Sequence, residues 1–122
     1  MARTLIDAAS IHNRASAQSL VVTAGAADVT FDAADNTNGN ATPCTGKELL
    51  VVRNSDASAQ TVTIDAAPDV VGRDGTITAY SLAAADVAIF GPFPTASYRQ
   101  TDGNLHINAS AATVELAIVR FP

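Results

Sequence analysis

Lys47-Glu48-Leu49-Leu50-Val51-Val52-Arg53-Asn54, then a turn at Asn54-Ser55-Asp56, then Ala59-Gln60-Thr61-Val62-Thr63-Ile64-Asp65: these residues decide the fold. The first segment sets four apolar residues in a row between polar flanks. Such a run, bounded by turn formers, reads as a central strand covered on both faces. The second alternates strictly. Successive side chains of a strand point to opposite faces, so Val62 and Ile64 share a core side while Thr61, Thr63 and Asp65 share the other. Together the two segments predict a β-hairpin or meander pair.

Working outward toward the C-terminus, Thr76–Leu82 and Val87–Phe90 read as strands. Ala83-Ala84-Ala85-Asp86 between them is too short to nucleate a helix and is a tight connection. Gly91-Pro92-Phe93-Pro94 stops the ladder, because two prolines remove donors and fix φ. Thr101-Asp102-Gly103-Asn104 predicts a hairpin joining Tyr98-Arg99-Gln100 to Leu105-His106-Ile107-Asn108. The last strand, Thr113 to Phe121, places Val114, Leu116 and Ile118 on one face. Toward the N-terminus, Ser19–Ala24 and Asp28–Asp32 are β-like, and Asp35–Asn40 is a dense cluster of turn formers. The expectation is all-β: a small antiparallel sandwich or barrel of about eight short strands, spaced by roughly ten residues.

Residues 1–17 differ from the rest. Leu5, Ile6 and Ile11 are their apolar anchors, with no sustained stripe at helical spacing. The expected organisation is an N-terminal arm over 1–17 and a single β domain over 18–122. An arm of this kind is suited to adding a strand to a partner's exposed sheet edge, with Leu5, Ile6 and Ile11 filling pockets. The alternative is a tail or a first strand of the same domain. Phe90-Gly91-Pro92-Phe93-Pro94 and Tyr98 form the main aromatic cluster. Packing at one end of the sandwich is its expected role, and an interface anchored by Phe93 and Tyr98 is the alternative.

The totals narrow the function. With 122 residues there is room for one domain and one core. The net charge of −5 and a pI of about 4.6 argue against a nucleic-acid partner, which requires a basic stripe to release counterions. An anionic membrane surface is disfavoured for the same reason. No apolar run approaches the ~20 residues of a membrane-spanning helix. The N-terminus lacks the apolar core of a signal peptide, so synthesis in a cytoplasm without export is expected. The single cysteine, Cys44, cannot form an intrachain disulfide.

The candidates for a catalytic set are His12, His106, Glu48, Glu115, Asp28, Asp32 and Asp65. No Gly-x-Ser-x-Gly elbow occurs, and the carboxylates fall at polar positions where a solvated sheet face accounts for them. The chain is therefore expected not to be an enzyme and to carry no cofactor. Asp32, Asp35, Asn36, Asn38 and Asn40 gather oxygen ligands as calcium requires, but in an order unlike an EF-hand loop. A plain surface loop is expected.

The order of Lys47–Asn54, Thr61-Val62-Thr63-Ile64, Gly91-Pro92-Phe93-Pro94, Tyr98 and Asp102-Gly103 resembles small proteins encoded beside the major capsid protein in tailed-phage head clusters. The resemblance covers about residues 46–108. It implies a head decoration, or cement, protein that docks on the outer surface of the capsid, clamps neighbouring major capsid subunits and stabilises the expanded head. It also implies a virion location and a homotrimer. The competing function is a carbohydrate- or receptor-binding β-sandwich module of a phage tail or bacterial surface; the absence of Trp counts against it.

Overall fold

The computed structural model describes residues 2–6, 8–10, 29–67 and 74–121. These residues form two packed β-sheets with one short helical turn. The strands are β1 (Thr4–Leu5), β2 (Ala8–Ser10), β3 (Asp32–Ala33), β4 (Asn40–Pro43), β5 (Glu48–Asn54), β6 (Gln60–Asp65), β7 (Ile77–Leu82), β8 (Val87–Phe90), β9 (Asn104–Ala109) and β10 (Val114–Arg120). The turn α1 (Thr95–Tyr98) lies between β8 and β9. The expected β-sandwich is thus present, with ten strands among the described residues.

One sheet runs β1-β4-β9-β6-β7. The other runs β2-β10-β5-β8, with β3 also paired to β10. The central strands are antiparallel, in the register Leu116↔Val52 and Ile118↔Leu50 in one sheet and Ile64↔Ile107 in the other. Leu50, Val52, Val114, Leu116 and Ile118 from one sheet meet Val62, Ile64, Leu105 and Ile107 from the other, all fully or almost fully buried. Each such side chain contributes about 1.5–3 kcal/mol by leaving water.

The two decisive segments are both strands, and Val62 and Ile64 face the core. They are not a hairpin. β5 lies between β10 and β8, whereas β6 lies between β7 and β9 in the opposite sheet. The reason is Asn54, buried at the end of β5. Its Nδ2 donates to the carbonyls of Ser58, Leu82 and Ala83, and its Oδ1 accepts the Asp56 N–H. That knot turns the chain across to the other sheet.

A second correction concerns Tyr98-Arg99-Gln100, which is no strand. Residues 95–98 form α1, and the Asp102-Gly103 turn closes onto Gln100 through Gly103 N–H to Gln100 O and Gln100 N–H to Asn104 O. β9 instead pairs with β4 and β6.

Within the expected arm, β1 and β2 are strands of the sandwich itself. β1 pairs parallel with β4, and β2 pairs parallel with β10. The chain thus crosses from one sheet to the other, and Ile6, between them, is buried in the core. The opposite side of the sandwich ends in β7 and β8, where Tyr80 and Phe90 meet edge to face at 5.2 Å. The expected strand over Ser19–Ala24 lies outside the described residues.

Candidate functional site

Three places gather polar or exposed apolar side chains. The first is a clasp around the N-terminal strap, residues 2–6 and 8–10. Asp35 opens the turn before β4. Its Oδ1 accepts the N–H groups of Thr37 and Asn38, and its Oδ2 accepts Asn38 Nδ2 at 3.3 Å and Thr4 Oγ1 at 2.7 Å. These donors, the Asn38 N–H foremost, hold its carboxyl below the usual aspartate range. Asn40 Oδ1 accepts the Asp35 N–H. Of the oxygens that suggested calcium, the Asp35 carboxylate and Asn40 Oδ1 are therefore turned onto protein donors. Among the described residues, no group of three His, Cys, Asp or Glu side chains converges as metal ligands would.

Arg3 completes the clasp. Its Nη1 donates to Asn108 Oδ1 at 2.9 Å and to the carbonyls of Asn40 and Ile107, and its Nη2 lies 3.9 Å from Asp65 Oδ2. The guanidinium lies over Gly39, whose φ is +81°, so a Cβ there would collide with it. Only glycine serves both demands.

The second place is Glu48, which has no exposed surface. Its Oε1 accepts the Thr45 N–H at 2.7 Å. Its Oε2 accepts Thr45 Oγ1 at 2.6 Å and Arg120 Nε at 2.7 Å. Burial alone would raise the carboxyl's pKa. The hydrogen bonds from Thr45 and Arg120 outweigh it and hold the group below the usual glutamate range. The expectation of a solvated carboxylate fails here, because a three-donor cage replaces water. Glu115 is half-buried and bonded to Arg53 by three hydrogen bonds of 3.1–3.2 Å. The two glutamates are thus held in separate ion pairs. His106 projects to the outer face, as its strand position requires, with Nε2 2.8 Å from Asp102 Oδ2. Among the described residues no buried side-chain polar atom lacks a partner. These clusters are closed on themselves.

The third place is apolar. Val87 and Ile89 on β8 are 57 % and 66 % exposed, and Tyr80 on β7 is also exposed. β8 is the last strand of its sheet among the described residues, so its outer backbone edge faces away from β5. Cross-strand register sets Ile89 beside half-buried Val51, which extends the apolar patch inward onto the sheet face. Natural edge strands are blunted by charge, proline, bulges or brevity. β7 carries such an irregularity, with Ala79 at φ +48° and a register shift opposite β6. β8 is short but uncharged, with its two outward residues apolar.

The sequence-selected residues fall on both sides of this division. Leu5 is 64 % exposed on β1. Ile6 and Phe93 are core residues, which corrects their candidacy as partner anchors: each is almost completely buried by its own chain. Tyr98 is half-buried, stacks edge to face on Phe93 at 5.1 Å and donates Oη to Gly75 O. The cluster therefore packs one end of the sandwich. Ile11 lies outside the described residues. Cys44 is buried, its Sγ 3.7 Å from Phe93 O, and burial pushes its thiol pKa up.

Val87 and Ile89 were not among the residues selected from the sequence, where Val87–Phe90 reads only as a strand. The available signal was the brevity of that run between Asp86 and Gly91-Pro92. Comparison of the chain with protein-family models, curated proteins and solved structures finds no match.

Proposed function

We propose that this protein is an adhesive structural domain, a decoration protein that binds the outer surface of a tailed-phage head and stabilises its expanded form. The observation that carries the reading is the apolar edge at β8, Val87 and Ile89, uncovered among the described residues, on a sandwich whose described polar clusters are internally satisfied. Edge strands of this kind pair with a partner's strand through main-chain hydrogen bonds, and alternate side chains give specificity. The major capsid protein is the partner in this reading.

Two further points support it. The resembling segments map onto β5, β6, the Gly91–Pro94 stop and the Asp102-Gly103 turn, so they form one end and the middle of the sandwich. The net charge of −5 suits an outer surface away from packaged DNA. Binding only the expanded lattice stabilises it by mass action, and many symmetry-related copies add avidity. In this reading the copies associate as trimers on the shell.

The test is titration of purified protein onto expanded heads. Saturable, stoichiometric binding that raises the melting temperature of the heads is expected. Heads that neither bind the protein nor gain stability would overturn the reading.

A further inference from the structure

Asn38-Gly39 is the one Asn-Gly dipeptide in the sequence, and it sits inside the clasp. This dipeptide is chemically labile because glycine has no side chain to hinder its backbone nitrogen. The Gly39 nitrogen attacks Asn38 Cγ and forms a C–N bond. Nδ2 leaves as ammonia, taking up the proton released from the Gly39 N–H. Water then opens the five-membered succinimide at either carbonyl, giving aspartate or isoaspartate at position 38.

The folded clasp opposes the first step at both reacting groups. The Gly39 N–H is committed to Asp35 O at 2.9 Å, and the Asn38 side chain is tied through Nδ2 to Asp35 Oδ2. Arg3 lies over Gly39. The strap adds Thr4 N–H to Gly39 O and Thr4 Oγ1 to Asp35 Oδ2. Attack therefore requires the turn to open, and the strap's bonds to Gly39 and Asp35 hold it shut.

The product acts back on the strap. A carboxylate at position 38 replaces a donor with an acceptor beside Asp35 Oδ2, so attraction becomes like-charge repulsion. The isoaspartate form also adds a main-chain methylene immediately before Gly39, whose carbonyl receives the Thr4 N–H. We propose that Asn38-Gly39 is a modification site gated by the N-terminal strap, and that its deamidation unfastens that strap. What holds the strap slows the chemistry, and the product's charge loosens the strap.

The experiment uses the isolated full chain, so its result is independent of capsid binding. Protein is aged in mildly alkaline buffer, and conversion at Asn38 is followed by peptide mass spectrometry and isoaspartate detection. Native protein is expected to convert at least several-fold more slowly than the same chain in denaturant. Arg3→Ala and Thr4→Val, each checked for a native melting transition, are expected to convert faster than the parent. Equal rates in folded and denatured protein would overturn the gating, as would folded variants that convert no faster. Asn38→Asp supplies the product charge directly and is read by amide hydrogen exchange over residues 2–10. Faster exchange there is expected, and exchange unchanged from the parent would overturn the unfastening.

Discussion

A glutamate without exposed surface has to replace the hydration it gives up, and at Glu48 three protein donors do so. Removing one partner of a buried pair costs more than the pair itself contributes, because the remaining groups lose their match. Glu48→Ala is expected to lower stability by about 3 kcal/mol, read as a shift in urea midpoint with unchanged slope; a midpoint within error of the parent would refute this. Glu48 also sets a pH dependence. Its carboxyl titrates below the usual glutamate range in the folded state, so its contribution is complete above the unfolded pKa and is lost as pH falls through the folded one. The stability gap between the parent and Glu48→Gln is therefore expected to be widest near neutrality and to shrink in acid. A gap that stays constant across that range would show that the carboxylate's charge is not what stabilises. None of this was legible in sequence. Glu48 shares the buried side of β5 with Leu50, whereas the sequence reading left it on a solvated face. Knowing that this side is roofed by Thr45 and Arg120 required the β5–β10 register, which joins residues 72 apart in the chain.

Strands were legible where one face is buried, and their partners were not. β5, β6, β7, β8 and β10 stand where apolar periodicity put them, because burial on a pleated face enforces it. The hairpin expected between β5 and β6 fails because Asn54, a polar residue that reads as a turn former, is buried as a cross-sheet connector. The strap was misread for the opposite reason: β1 and β2 are too short to show a period, and their parallel partners lie far along the chain. Ile6 tests the strap's place in the fold. Ile6→Ala is expected to cost about 2–3 kcal/mol in global unfolding, since the strap is paired to the central strand β10. An unchanged urea midpoint, with faster exchange confined to residues 2–10, would mean that the strap opens apart from the body. At the other side of the sandwich, Ile89→Lys is expected to shift stability by no more than about 0.5 kcal/mol, as a surface change does, yet to abolish binding to expanded heads. Undiminished binding would remove β8 from the proposed docking surface.

At the scale of the molecule, the last strand holds the sandwich together. β10 pairs with β5 on one side and with both β2 and β3 on the other, so the sheet that contains it joins residues 8–10, 32–33, 48–54 and 114–120. Its inward residues Val114, Leu116 and Ile118 form much of one wall of the core. Without β10, among the described residues β5 would keep only β8 as a neighbour, and β2 and β3 would have none. The β6–β9 layer would then expose Val62, Ile64, Leu105 and Ile107. A remaining two-stranded ribbon is marginal in water, and non-local pairing repays the entropy of loop closure only after the partner arrives. The fold is therefore expected to be all-or-none with respect to its C-terminal strand. A chain ending at Thr113 should show no cooperative thermal transition by circular dichroism and no dispersed amide spectrum, whereas the full chain is expected to show both. A sharp transition in the shortened chain would mean that the β1-β4-β9-β6-β7 sheet folds without its roof, and the single shared core described above would have to be abandoned.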